Sequence, residues 1–119
     1  DHMPDQSGCL NSLGYMYSED GENLSEAQAL IERALVVDPD NPAYLDSLGW
    51  VYFQEGQNEK ALEILKKADH LMRDPVIYEH IGDVYFRMKL LDEAKKNWKR
   101  SLDLLPGQST VEKKLLAIP

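Results

Sequence analysis

The residue types that carry out catalysis or bind metals are few in this 119-residue chain. It has one cysteine, Cys9, and three histidines, two of which are His70 and His80. The sequence has no H-E-x-x-H motif, cysteine cluster or glycine-rich phosphate loop, and metal-dependent hydrolysis and phosphate binding rely on such spacings. We therefore predict no enzyme activity, metal site or cofactor. Cys9 is predicted to be a small core residue.

Aromatic and acidic side chains that recur three and four residues apart are better candidates for binding. One set contains Asp46, Trp50 and Phe53, and another contains Glu79 and Asp83 followed by an aromatic residue. Residues at this spacing share one face of a helix. Exposed aromatic clusters mark interfaces, and neighbouring carboxylates favour a basic partner. The predicted ligand is an extended or helical protein segment with apolar anchors and basic neighbours.

The elements that carry these residues are helices, because the apolar residues of 41–75 recur with a helical period on both sides of Gly56. Before the turn one helix face holds Leu45, Leu48 and Tyr52, and after it another holds Ala61, Leu62, Leu65 and Ala68. Gly56 is expected to form the turn and Asn58 to cap the second helix. The pattern predicts a helix-turn-helix hairpin.

The hairpin pattern occurs three times along the chain. Its glycines are Gly14, Gly49 and Gly82, and their mean spacing is about 34 residues, a period typical of helical repeats. Around them the first copy has Leu10, Leu13, Tyr17, Ala27 and Ile31, and the third has Tyr78, Ile81, Tyr85, Ala94 and Trp98. This period, with the pattern W-x2-L-G-x2-Y…A-x3-F…P, resembles the tetratricopeptide repeat. Over residues 7–106 the sequence is most similar in style to the carboxyl-terminal repeat block of larger bacterial proteins of this family.

The resemblance implies an all-α fold, an α-solenoid of three tetratricopeptide hairpins and a C-terminal capping helix. The expected bounds are a tag or lead-in over 1–6, repeats over 7–41, 42–74 and 75–107, and the capping helix over 108–119. It also implies a packing role for the small residues Gly14, Ala27, Gly49, Ala61, Ala68, Gly82 and Ala94. Trp98 is expected in the core. The first hairpin has no such cap, so further upstream repeats are expected.

The resemblance further implies that the first helices of the hairpins line a concave groove that binds a protein or peptide. The groove residues would be Asn11, Tyr15, Asp46, Trp50, Phe53, Glu79, Asp83, Phe86 and Arg87, with His80 on the same face. Some members of the family hold a terminal carboxylate with lysines and asparagines. At those positions this chain has Asn11, Tyr15, Ser47, Val76 and His80, so we predict no carboxylate clamp.

The charge distribution favours a basic partner. The net charge is −8, and residues 1–57 carry 11 acidic residues and one basic residue, Arg33. This balance argues against nucleic acid as the main partner, and no apolar run reaches the ~18 residues of a membrane span. A basic strip of Lys95, Lys96, Lys99 and Arg100 is interpreted as a solvated outer face or as a second contact surface.

Two other functions fit the sequence. One is self-association, or stacking within a longer repeat array, through the first hairpin. The other is an accessory domain of an enzyme whose catalytic part lies elsewhere. The compartment stays open between cytoplasm and periplasm, and the partner and pathway are not specified by these residues.

Local signals add finer expectations. Asn23 with Glu26, and Ser109 with Glu112, predict capping boxes. Lys89 stands where the other hairpins have a turn glycine, so we predict a left-handed backbone there. The capping helix is expected to pack through its apolar residues, Val111, Leu115, Leu116 and Ile118.

Overall fold

The computed structural model describes residues 6–21 and 23–118, and within these residues the chain forms α-helices and no strands. The helices are α1 (Ser7–Asp20), α2 (Leu24–Val37), α3 (Pro42–Gln54), α4 (Asn58–Leu71), α5 (Pro75–Arg87), α6 (Leu91–Leu104) and α7 (Ser109–Leu116). They belong to two compact units, one with α1–α4 and one with α5–α7. Of the tag or lead-in expected over 1–6, residues 1–5 lie outside the described residues.

The second and third hairpins begin with the same pair of features, a capping side chain followed by a proline. Pro42 and Pro75 occupy the first helical position of α3 and α5, where proline has no hydrogen bond to lose. The side chain of Asn41 accepts a hydrogen bond from the Tyr44 amide at 3.1 Å, and Asp74 accepts one from the Val76 amide at 2.8 Å. The caps fix where both helices start.

Three other predicted caps are wrong. Asn23 makes no side-chain capping bond and has φ −113° and ψ 47°, outside the extended region that capping requires. Asn58 is already the first residue of α4. Ser109 is likewise the first residue of α7, and the preceding Gln108 makes no cap. Gln108 instead donates to the Leu105 carbonyl of the α6 end at 2.7 Å.

The turn between the two helices of a hairpin needs a left-handed residue. Gly56 supplies it between α3 and α4 with φ 82°, and Lys89 supplies it between α5 and α6 with φ 64°. The left-handed backbone predicted at Lys89 is therefore confirmed. A residue with a Cβ adopts this conformation at a cost of roughly 1 kcal/mol.

Each hairpin closes on a glycine that faces a large side chain. A Cβ at Gly14 would lie 2.6 Å from Cγ1 of Ile31, and one at Gly49 would lie 2.6 Å from Cγ of Leu65. A Cβ at Gly82 would overlap the indole ring of Trp98. Trp98 is buried, which confirms its predicted place in the core. The small residues Ala27, Ala34, Ala61, Ala68, Ala94 and Ser101 are also fully buried.

In the first unit, one cluster joins the two hairpins. Ala27 and Ile31 of α2 pack with Leu48 and Val51 of α3. The corresponding apolar residues of α1 do not find such a neighbour. Leu13 is 40% exposed, and Cys9 is exposed, so the core placement predicted for Cys9 is wrong. Among the described residues, no helix precedes α1 to cover this side.

In the second unit, α7 packs through part of its predicted apolar face. Val111 and Ile118 are buried, whereas Leu116 is 85% exposed. Leu116 lies one repeat period after Gly82, and it therefore holds the position that faces the second helix of a hairpin. Among the described residues no helix follows α7 to cover Leu116, so the prediction that Leu116 packs on the array is wrong.

Candidate protein interface

The inner face of the first unit carries residues of α1 and α3. Asn11, Tyr15 and Trp50 are partly exposed there. Asp46 and Phe53 are each only 9% exposed. The exposure expected for an acidic rim at Asp46 and for an open aromatic surface at Phe53 is therefore wrong, whereas a binding role for this face stays a prediction.

Trp50 and Phe53 form one aromatic unit on α3. Their ring centroids are 4.9 Å apart with an interplanar angle of 29°, a stacked pair that follows from their spacing of three residues on one helix. Because Phe53 is buried and Trp50 is partly exposed, the pair exposes mainly the indole ring. A fixed aromatic ring of this kind is typical of interface anchors.

The inner face of α5 in the second unit holds a cation. Nζ of Lys114, on α7, lies 2.7 Å from Oε2 of Glu79 and 2.9 Å from Oδ1 of Asp83. The indole N–H of Trp98 donates to Oδ1 of Asp83 at 3.1 Å and to the carbonyl oxygen of Glu79 at 3.3 Å. Nζ of Lys114 is 6.0 Å from the centroid of the Trp98 ring. We call the group formed by Glu79, Asp83 and Trp98 the ammonium site.

Burial and pairing act in opposite directions in this site. Burial raises the pKa of Asp83, although the Lys114 ammonium and His80 act to lower it. Burial would lower the pKa of Lys114, but its hydrogen bonds to Glu79 and Asp83 outweigh that effect and raise it above the ordinary value of 10.5. Lys114 is thus held as a cation, and it neutralises carboxylates that are costly to leave buried alone.

The structure adds an internal cation to this part of the groove. Glu79 and Asp83 were expected to face a basic partner; within this chain they contact Lys114, and their binding of a partner stays a prediction. His80, expected on the same face, is buried. Phe86 is 46% exposed, with its ring centroid 5.6 Å from that of Trp98, and Arg87 is exposed as well.

Sequence reasoning missed Lys114 because α7 was interpreted through its apolar residues alone. Lys114 lies one repeat period after His80, just as His80 lies one period after Ser47. Carrying the repeat register into α7 would have placed Lys114 at an inner-face position beside the acids of α5. Among the described residues, no group of three or more His, Cys, Asp or Glu side chains is placed to hold a metal ion. No described helix is both long and apolar enough to cross a membrane.

The family is decided by a match to residues 20–101. They match the model of the family described as anaphase-promoting complex, cyclosome, subunit 3, and the matched stretch contains the hairpin pattern of the tetratricopeptide repeat. The chain belongs to this tetratricopeptide-repeat family. None of the curated proteins compared with it matches significantly.

Solved tetratricopeptide-repeat structures share its fold. The first such domain of human RPAP3 is 26% identical, with a TM-score of 0.88 over 98% of this chain and 91% of that one. The first such domain of Spaghetti (RPAP3), bound to the HSP90 peptide SRMEEVD, is 26% identical, with a TM-score of 0.84 over 95% and 90%. The Sgt2 domain of Aspergillus fumigatus is 25% identical, with a TM-score of 0.84 over 97% and 77%. The predicted all-α tetratricopeptide solenoid fold is confirmed by these likenesses, and a general role as a protein-interaction module is supported.

Proposed function

We propose that this chain is a protein-interaction adaptor that binds a basic helical or extended segment on an inner face of its first helices. One observation carries the proposal: the inner face of α5 holds a lysine from another helix, with two carboxylates within 3 Å of its Nζ. The net charge of −8 adds a field that attracts basic segments. Trp50 provides an aromatic anchor on α3 for an apolar side chain of the ligand.

The expected ligand differs in charge from the peptide bound by one structural neighbour. The Spaghetti domain binds the acidic HSP90 peptide SRMEEVD. In this chain the predicted clamp positions hold no lysine or arginine, and two of them, Ser47 and His80, are buried. The net charge of −8 also disfavours a carboxylate-terminated peptide. We therefore expect selection of basic segments and rejection of SRMEEVD.

A peptide selection tests this function. A random phage-displayed library is selected on the wild-type chain, and selected peptides are titrated by calorimetry against wild type, Trp50→Ala and Phe86→Ala. Lysine-rich or arginine-rich peptides with apolar residues should bind with a Kd of about 1 μM, or about −8 kcal/mol, and at least one inner-face variant should weaken them about tenfold or more.

Val36→Ala is the matched control, because Val36 is a highly exposed apolar residue of α2. Circular dichroism checks that every variant is folded, and SRMEEVD serves as the acidic probe. Selection of acidic peptides, or equal binding by the wild type and all three variants, would contradict the proposed function.

A second candidate function is stacking on another hairpin. It is favoured by two exposed apolar residues of α1, Leu13 and Met16, which we call the α1 stripe. Leu13 is 40% and Met16 is 64% exposed. The residues one repeat later, Leu48 and Val51, are buried against Ala27 and Ile31 of the preceding hairpin. The α1 stripe therefore has the composition of a surface that packs on a second hairpin helix. An accessory role beside an enzyme stays a prediction without such an observation.

Light scattering after size-exclusion chromatography tests stacking between copies. If stacking occurs, the wild-type mass should rise with concentration, and Leu13→Glu with Met16→Glu should abolish the rise. The control places the same charges at Val36 and Val37, two exposed residues of α2. A constant monomer mass at every concentration would rule out self-association.

A further inference from the structure

The helix that fills the ammonium site is short and shallowly packed. α7 has eight residues, and Val111 is its one buried residue; Ile118 follows it and is also buried. A helix of this length is not stable in water by itself, so α7 depends on these contacts and on Lys114. An attachment with so few anchors is one that another helix can replace.

The ammonium site, in contrast, is firmly built. Glu79 and Asp83 are four residues apart on α5, so they point to the same side. Their side chains are only 20% and 14% exposed. The Trp98 indole fixes Asp83 through a hydrogen bond, and Trp98 is itself buried. Two partly buried carboxylates held in this way favour a bound cation.

Resting on the proposed function, we propose that Glu79, Asp83 and Trp98 form a binding site for the ammonium group of a lysine, which α7 fills with Lys114 and which a partner helix reaches by replacing α7. Oε2 of Glu79, Oδ1 of Asp83 and Oδ2 of Asp83 lie 2.7, 2.9 and 3.1 Å from Nζ of Lys114. This arrangement fits the three donors of an ammonium group and does not use the planar fork of a guanidinium.

The contacts of α7 also define the ligand pattern. Val111 lies three residues before Lys114 and Ile118 four residues after it, and both are buried. A partner segment that is helical at its lysine and makes the same contacts would read apolar-x2-Lys-x3-apolar. Lys113 lies on the exposed side of α7, so it is not part of the pattern and provides a matched control of equal charge.

Chemical rescue tests the site without any partner. In a Trp50→Phe background, Trp98 gives the single indole signal of the chain in a 1H–15N spectrum. Titration of n-butylammonium into the 119-residue Lys114→Ala variant should shift this signal saturably. Wild type and Lys113→Ala should respond at least fivefold less, and n-butanol should have no effect. Glu79→Gln with Asp83→Asn, added to Lys114→Ala, should abolish the shift. Equal shifts in all variants, or none in Lys114→Ala, would overturn the site.

A second measurement tests replacement of α7. A fluorescent peptide with the sequence of residues 107–118 is titrated into the 119-residue wild-type chain and into its Lys114→Ala variant. The variant should bind it at least tenfold more tightly, and a peptide with alanine in place of Lys114 should lose that gain. Equal binding by both proteins would overturn the replacement.

The two proposals fail in different ways. If library-selected basic peptides bind through Trp50 and are unaffected by Glu79→Gln with Asp83→Asn, the adaptor function stands and the ammonium site as a partner site is wrong. If butylammonium and the α7 peptide bind as expected but no basic peptide is selected, the ammonium site stands as an intramolecular binding site for Lys114. Its use by a partner is then wrong.

Discussion

The inner faces of α3 and α5 occupy equivalent repeat positions but have different chemistry. Asp46, Trp50 and Phe53 of α3 correspond, one repeat later, to Glu79, Asp83 and Phe86 of α5. On α3 the two aromatic rings stack and Phe53 is buried. On α5 the carboxylates hold Lys114, and Phe86 is exposed. One face has a stacked aromatic pair and the other has a charged site.

The difference begins in the second helix of each hairpin. The residue that packs on the glycine is Leu65 in one hairpin and Trp98 in the other. A buried tryptophan needs an acceptor for its indole N–H, and Asp83 supplies it at 3.1 Å. Asp83 stands where α3 has Trp50. The tryptophan in the second helix of this hairpin is thus matched by an aspartate on the inner face of the first helix. The residue types at these two positions depend on each other.

The largest contrast is expected for the two phenylalanines. Phe53→Ala removes a ring that is 9% exposed and should lower the free energy of unfolding by about 3 kcal/mol or more. Phe86→Ala removes a ring that is 46% exposed, so the loss should be under about 1.5 kcal/mol. Urea unfolding of both variants measures the contrast. Equal losses would show that the two faces are not packed differently.

The glycines should separate the hairpins next. Gly82→Ala places a methyl group in the rigid indole ring of Trp98, whereas Gly49→Ala meets the flexible side chain of Leu65 at 2.6 Å. Overpacking costs about 1–3 kcal/mol, and we expect Gly82→Ala near the upper value and Gly49→Ala near the lower. Gly8→Ala is the control, because the added Cβ would lie 3.7 Å from Oη of Tyr44. If thermal unfolding shows that Gly49→Ala is more destabilising than Gly82→Ala, the expected order is wrong.

The ammonium site should make a smaller contribution to stability. Lys114→Ala leaves Glu79 and Asp83 partly buried without their cation, which should cost about 1–2 kcal/mol, between the values for exposed and buried pairs. Lys113→Ala, on the exposed side of α7, should cost under about 0.5 kcal/mol. Urea unfolding near pH 7 checks both values.

The pH dependence of that contribution has a definite sign. The pKa of Lys114 is raised above 10.5 in the folded chain, so its stabilisation is complete below about pH 10 and is lost as pH rises through the folded value. The difference in unfolding free energy between wild type and Lys114→Ala should therefore be constant from pH 7 to pH 9 and shrink above 10.5. A difference that disappears below pH 9 would mean that Lys114 is not held by the carboxylates.

Periodicity predicted the fold because each helix repeats its own pattern. The packing roles of Gly14, Gly49 and Gly82 were expected from the repeat register and the family resemblance, whereas the large side chains that they face are seen only in the structure. Exposure was harder, because it depends on which helix lies alongside. Phe53 was expected to be open but is buried, and Cys9 was expected in the core but is exposed.

The candidate site was predicted only in part for the same reason. The acids of α5 were identified from helical spacing, but their partner, Lys114, is 35 residues from Glu79 and 31 from Asp83. A contact over such a distance follows from the register of the whole array and not from any local motif.

The smallest expected effect compares the turns of the same two hairpins. Lys89 has φ 64°, whereas Gly56 has φ 82° at the matching turn. Lys89→Gly should relieve left-handed strain and stabilise the second unit by up to about 1 kcal/mol, although the greater entropy of glycine in the unfolded chain offsets part of the gain. Gly56→Ala, the reverse change, should destabilise by a similar amount. Thermal unfolding followed through Trp98 in a Trp50→Phe background measures the first variant, and Trp50 in a Trp98→Phe background measures the second. If Lys89→Gly is destabilising, the side chain of Lys89 makes a contact worth more than the strain, and the two turns are not equivalent.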